Sequence, residues 1–392
     1  MAYDFSTVVN RKGSGSVKWA EMLGKKENVK DGIVPLSVAD MEFKIAPEIS
    51  EGLAEYARQA IVGYSAPEEP YFASVINWMQ KRHGYQVEKD WIVPSPGVVT
   101  ALFAAVQAYT RPGDGVIIMT PVYYPFYMAV ERANRQLVEN PMVNTNGIYT
   151  VDFEDLEEKA SRKDVTMLIL CSPHNPVGRV FSSKELEKIA KICLANDILM
   201  VVDEIHHDLV MPGHTHTAFG SLGNEIADRC VICTAPSKTF NLAGLQASNI
   251  IIKNEQLRRK FKNILESIGF FTLNAFGIKA CELAYSVGGK WLDELIPVLD
   301  ANRQLVEDYA KAYIPKMKVS KLEGTYLQWC DLRFLNLDEK KLEQKMISAD
   351  LFFDEGYIFG KEGSGFERIN IACPKDVLQK ALERLKAATH TI

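Results

Sequence analysis

Residues 165–203 read VTMLILCSPHNPVGRVFSSKELEKIAKICLANDILMVVD, and this stretch decides the fold. It opens on an almost unbroken apolar run, Val165–Ser172, and closes on a second, Ile198–Asp203. Short apolar runs without polar alternation belong to strands covered on both faces of a sheet. Between them, Ser182-Ser183-Lys184-Glu185 is a capping box that opens an amphipathic helix continuing to about Asn196. Strand, helix and strand in succession predict a right-handed crossover between parallel neighbours.

Working outward, Gly115–Thr120 (GVIIMT), Cys230–Ala235 (CVICTA) and Ala247–Lys253 (ASNIIIK) read as further buried strands. The expected class is α/β, with a mostly parallel sheet. From about Trp291 the pattern changes to longer helices, Trp291–Ala312, Leu337–Ala349 and Lys375–Thr389, with shorter strand-like pieces such as Gly324–Leu332 between them. A chain of 392 residues exceeds the roughly 250–300 that one core supports. Two domains are therefore expected: residues 51–290 as a large α/β domain, and residues 1–50 with 291–392 as a smaller α+β domain built from both chain ends.

Hydrophobic residues make up 47% of the chain and charged residues 24%, the profile of an ordinary globular protein. A formal charge of −5 gives no general attraction to nucleic acid or an anionic membrane. Met1-Ala2-Tyr3-Asp4-Phe5 does not read as a signal peptide, and no apolar run approaches the ~20 residues of a membrane helix. Seven cysteines at irregular spacing fit buried thiols in a reducing cytoplasm better than a disulfide framework.

Open parallel sheets bind ligands beyond the carboxyl ends of their strands, so the residues after each strand are informative. Val165–Ser172 is followed by Pro173-His174-Asn175-Pro176, the next strand ends in Asp203-Glu204-Ile205-His206, and Cys230–Ala235 runs into Pro236-Ser237-Lys238. An amide, a carboxylate with an imidazole, and a lysine are thereby directed to one edge. Pyridoxal phosphate needs such a set: a lysine amine for its aldehyde, an acid for its ring nitrogen, and donors for its phenolic oxygen. Asn175 and His206 are the candidate donors, and Tyr123, after Gly115–Thr120, is the candidate stacking ring. Pro96-Gly97-Val98-Val99-Thr100 precedes an apolar helix whose N-terminal amides suit a phosphate.

Ser172–Gly178 (SPHNPVG), Asp203–His206 (DEIH) and Ser237–Asn241 (SKTFN) resemble the signatures of class I/II aminotransferases, the fold type I group of pyridoxal-phosphate enzymes. The likeness spans essentially the whole chain. Within that group it looks most like the bacterial cystathionine β-lyase, or C–S lyase, branch, through Ser16–Trp19, Val38–Phe43, Gly63–Ser65, Gly288–Leu292, Glu323–Leu327 and Phe359–Asn370. The resemblance implies a three-layer αβα large domain, with Lys238 as Schiff-base lysine, Asp203 beside the ring nitrogen, Asn175 on the phenolic oxygen and Tyr123 over the ring. It implies Gly97, Val98, Val99 and Ser237 at the phosphate, Ala39 and Arg368 on the substrate side, and a homodimer in which Tyr64 reaches the neighbour's phosphate. Arg368 would clamp the α-carboxylate bidentately, a geometry lysine lacks.

Two departures from the broader aminotransferase pattern favour the lyase branch: His206 stands where a tyrosine is common, and Gln246 where an arginine often binds phosphate. Ala235 stands where a phosphate-binding serine is common, with Thr234, Ser237 and Thr239 as nearby hydroxyls. Cys230 and Cys233 form a CxxC, but residues three apart on a strand face opposite ways, so no metal or redox site is expected there. His214 and His216 read as loop residues, and no metal site is expected. The expected activity is β-elimination from L-cystathionine or a related L-cysteine conjugate, giving pyruvate, ammonia and a thiol. Alternatives are amino transfer to a 2-oxo acid, and a pyridoxal-phosphate protein that mainly binds a regulator.

Overall fold

The computed structural model describes residues 3–390; Met1 and Ala2 of the N-terminal stretch considered above, and the last two residues, lie outside them. In chain order the first strands are β1 (Ile92–Ser95), β2 (Gly115–Thr120), β3 (Gln136–Pro141) and a small ribbon, β4 (Val143–Thr145) with β5 (Ile148–Thr150). Then come β6 (Val165–Cys171), β7 (Leu199–Asp203), β8 (Cys230–Thr234) and β9 (Ser248–Ile251). Seven of these form one sheet in the order β1-β9-β8-β7-β6-β2-β3.

The capping box holds as read. Ser182 Oγ accepts from Glu185 N, Glu185 Oε2 accepts from Ser182 N at 2.8 Å, and the helix runs Ser183–Ala195. The crossover it makes leaves β6 and β7 parallel, with Cys171 opposite Asp203. Strands β3, β2, β6, β7 and β8 pair in parallel, whereas β9 runs antiparallel to both its neighbours. Apolar periodicity reports burial but not direction, which is why the run at Ala247–Lys253 did not disclose this reversal.

Side-chain parity along the strands builds two separate cores. Leu168, Leu170, Met200, Val202, Cys230 and Ile232 pack into the core on one face. Met167, Ile169, Leu199, Val201, Val231 and Cys233 pack into the other, together with Val98, Ala101, Leu102 and Ala105 of the helix Val98–Tyr109. Cys230 and Cys233 thus lie on opposite faces, and all seven cysteines are free thiols. Each buried aliphatic side chain contributes about 1.5–3 kcal/mol. The parity that buries Leu199 and Val201 continues to Asp203, which therefore faces the layer of helix Val98–Tyr109.

A second sheet is assembled from β10 (Lys318–Val319), β11 (Leu327–Asp331), β12 (Asp354–Glu355) and β13 (Phe366–Asn370), all antiparallel, in the order β10-β11-β13-β12. Long helices Gly289–Tyr313 and Lys375–His390 accompany it. The N-terminal segment joins this unit through backbone hydrogen bonds Leu36 N to Phe352 O, Asn370 N to Leu36 O and Glu42 N to Ala372 O, each 2.8 Å. No helix among the described residues is long and apolar enough to cross a membrane.

Asn241 clamps that segment to the first unit. Its Oδ1 accepts from Met41 N at 2.9 Å, and its Nδ2 donates to Met41 O at 3.0 Å and Phe43 O at 2.9 Å. Its φ of 58° is a left-handed conformation that asparagine tolerates better than most residues. Asn241→Ala leaves three backbone groups without these partners. It is expected to lower the unfolding free energy by about 1–3 kcal/mol, read from the urea midpoint.

Candidate active site

The strands that run with β8 all end at one edge, and each delivers part of a single cleft. From β1 come Pro96, Gly97, Val98, Val99 and Thr100; from β2, Tyr123; from β6, Cys171 and Asn175; from β7, Asp203, Ile205 and His206; from β8, Ser237 and Lys238. Because β9 runs the opposite way, the residues that precede it, Gln246 and Ala247, arrive at the same edge. Ala39 closes the cleft from the N-terminal segment.

Val98–Tyr109 starts without a side-chain cap, so its first amides are left for a ligand. Gly97, just before them, has φ 110°, and a Cβ there would meet nothing within 4 Å. Among the hydroxyls considered for a phosphate, Thr234 Oγ1 is engaged with Asn249 O at 3.0 Å and Thr239 Oγ1 with Asp208 Oδ2 at 2.8 Å. Ser237 remains at the cleft, where Thr100, not among those hydroxyls, also lies.

Burial sets the electrostatics. It pushes the Asp203 carboxyl up to about 7, against a hydrogen bond from Ile205 N at 3.0 Å and the charge of Lys238. It also pushes Lys238 down to about 8; Arg368 acts in the same direction, while Asp40 and Asp203 oppose it. Lys238 Nζ donates to Ala39 O at 2.7 Å, and Tyr326 Oη donates to the same oxygen at 2.8 Å. His206 is driven well below the usual imidazole range by burial and by Lys238 and Arg368, so it is neutral, and its Nδ1 has no hydrogen-bond partner.

Arg368, on β13, comes from the second sheet. Its Nη1 donates to Asn175 Oδ1 at 2.8 Å, which leaves the Asn175 amide nitrogen as the free donor. Its Nη2 pairs with Asp354, the residue opposite it in the β12–β13 register, and its Nε is buried without a partner. Sequence reasoning missed Asp354 and Tyr326 as members of this site. Asp354 becomes relevant only through strand register, and Tyr326 lies 287 positions from the carbonyl it contacts. Of the expected residues, Arg368 reaches the cleft through Asn175 rather than lining it, and Tyr64 is fully exposed and does not line it.

The family model for aminotransferase class I and II matches residues 31–385. The chain belongs to that family. It is 45% identical over 386 residues to the cystathionine beta-lyase PatB of Bacillus subtilis, covering 98% of this chain and 99% of that one. Cystalysin from Treponema denticola, whose crystal structure contains pyridoxal 5'-phosphate, matches at TM-score 0.98 and 48% identity over 99% of both chains. The pyridoxal-phosphate-bound C–S lyase of Staphylococcus hominis matches at TM-score 0.92 and 30% identity, covering 99% of this chain and 98% of that one.

The cofactor is pyridoxal phosphate, and the cleft fits it on its own chemistry. Uncapped helix amides can take the phosphate, a buried carboxyl lifted to about 7 gains from a cationic ring nitrogen beside it, and a buried amine depressed to about 8 can react with an aldehyde near neutrality. In cofactor-free protein, Lys238 is expected to react with an added aldehyde at a rate that rises with pH and levels off above about 8, because only the neutral amine attacks. A pH series of single-turnover rates checks this; a rise continuing to 10.5, the ordinary lysine value, would contradict it.

Proposed function

We propose that this protein is a pyridoxal-phosphate-dependent C–S β-lyase that cleaves L-cystathionine or a related L-cysteine conjugate to pyruvate, ammonia and a thiol. The observation that carries the reading is the placement of the buried, depressed Lys238 amine in one cleft with Asp203, beside the Arg368 guanidinium. Full-length similarity to a cystathionine beta-lyase and to C–S lyase structures favours elimination over amino transfer.

Bound pyridoxal phosphate supplies an electron sink conjugated to the substrate Cα. Lys238 Nζ would hold its aldehyde carbon, Asp203 would keep a proton on the ring nitrogen, and Asn175 Nδ2 would donate to the phenolic oxygen, with neutral His206 nearby. Tyr123 would cover the ring, while Gly97, the amides of Val98 and Val99, and Ser237 Oγ would receive the phosphate. Arg368, held by Asp354 and Asn175, would orient the substrate α-carboxylate so that the Cα–H bond faces Lys238. The Lys238 amine would also take the Cα proton and return one to the departing sulfur. Ala39 borders the substrate side, and its carbonyl receives the lysine when it carries a proton.

The same reading assigns residues 51–290 to the cofactor domain and residues 1–50 with 291–392 to the domain that carries Arg368. It also places Tyr64 across a homodimer interface, at the neighbour's phosphate. In support, Tyr64, Ile61, Val62 and Phe271 are all largely exposed, and Thr272 Oγ1 ties the two segments together by donating to Ser65 O at 2.9 Å. A reducing cytoplasmic setting agrees with the seven free, buried thiols.

Incubation with L-cystathionine and no keto acid is expected to release pyruvate, ammonia and thiol in equal amounts. Amino transfer that requires a keto acid, without pyruvate, would overturn the lyase reading. Lys238→Ala is expected to lose the visible absorbance of the lysine-linked cofactor and at least about 10²–10⁴-fold in turnover. Arg368→Lys loses a charge-assisted pair of hydrogen bonds, about 1.5–3 kcal/mol, and is expected to raise KM roughly ten- to hundredfold.

A further inference from the structure

Behind the cleft, His83, His207, His216, Asp208 and Glu204 meet in the interior. His83 ends the helix Glu69–His83, whereas the others follow β7, so residues far apart in the chain converge here. The side chains of His207 and Glu204 are fully enclosed, and those of Asp208, His216 and His83 are 1%, 2% and 5% exposed. Among the described residues, neither carboxylate has a lysine or arginine ion pair; their charged-group neighbours are imidazoles. Phe219 N donates to Glu204, and Trp78 Nε1 and Thr239 Oγ1 to Asp208, but buried carboxylate charge without a cation remains costly and favours protons on histidine or a metal ion here.

His83 Nε2 is hydrogen-bonded to Asp208 Oδ1 at 2.8 Å, a contact that a bound ion would replace, whereas His207 Nε2, 3.1 Å from Asp208 Oδ2, makes no hydrogen bond. One donor atom from each of the three residues falls within 4.8 Å of the others. Zinc–nitrogen bonds of about 2.0–2.1 Å at tetrahedral angles hold neighbouring ligand atoms roughly 3.3–3.5 Å apart, so the Asp208 pairs at 2.8 and 3.1 Å would open on binding. The His83 and His207 rings sit 4.3 Å apart, centroid to centroid, and His216 is the next imidazole, 5.6 Å from His83. Neither ring nitrogen of His216 or of His207 has a hydrogen-bond partner. Asp208 is oriented from behind by Trp78 Nε1 at 3.0 Å and Thr239 Oγ1 at 2.8 Å, the support that metal-binding carboxylates usually have.

We propose that His83, His207 and Asp208 bind a divalent zinc-type ion, with His216 closest to the fourth position. The site is separate from the cofactor cleft yet joined to it twice. Thr239, which donates to Asp208, directly follows Lys238, and His207 directly follows His206. The ion would brace the backbone on which the cleft's lysine and neutral histidine are carried.

The test uses the holoenzyme, stripped with a chelator and then dialysed against zinc chloride. Wild type is expected to retain one zinc per chain after gel filtration, measured by mass spectrometry, and its thermal midpoint is expected to rise with zinc and fall again with the chelator. His83→Gln and His207→Gln are each expected to weaken zinc at least tenfold in competition with a chromophoric chelator. Should either variant fail to fold, cobalt(II) in wild type gives the answer: an intense tetrahedral visible spectrum supports the site, and a weak octahedral one overturns it. No retained zinc in wild type, or retention unchanged in both variants, also overturns it.

Discussion

Loss of water from around Asp203 and Lys238 is the constraint on which the rest of the site depends. In water an acid and an amine would titrate far apart, but enclosure brings them to about 7 and about 8. Two groups poised near neutrality in one cleft are expensive to keep and are retained where chemistry uses them. The parallel strands make the enclosure possible, since their carboxyl ends deliver the acid, the amine and the uncapped helix amides to one edge. The second sheet completes it by bringing Arg368, with Asp354 locking the guanidinium from the adjacent strand.

Charge management explains the neighbours as well. His206 is kept neutral by burial and by Lys238 and Arg368, so it adds no further positive charge against those two cations. Lys238 Nζ donates to the Ala39 carbonyl, which also accepts from Tyr326 Oη, and that carbonyl belongs to the segment Asn241 clamps in place. The order Lys238, Thr239, Asn241 therefore ties the amine, the buried Asp208 and the substrate-side segment to one short turn.

Much of this was legible in the sequence because local rules govern it. The apolar runs of β2, β6, β7 and β8, the capping box at Ser182 and the CxxC facing two ways all follow from periodicity and side-chain chemistry. The residues after those strands point to the cofactor by their own chemistry, and the family likeness adds Arg368 and the lyase branch. The direction of β9 was not legible, since burial carries no sign of strand polarity. Asp354 and Tyr326 escaped because their partners are set by register and by contacts across the chain. His216, read as a loop residue, does lie in a loop, but it is buried against Glu204, and His83 joins the same cluster from a distant helix.

The ¹⁵N chemical shift of the ring nitrogen, in protein reconstituted with ¹⁵N-labelled pyridoxal phosphate, tests the central claim most directly. If Asp203 is the buried acid that keeps this nitrogen protonated, the wild-type shift will be that of a pyridinium at neutral pH, and in Asp203→Asn it will move to that of a neutral pyridine. A neutral pyridine signal in wild type, or a pyridinium signal that survives Asp203→Asn, would contradict the account.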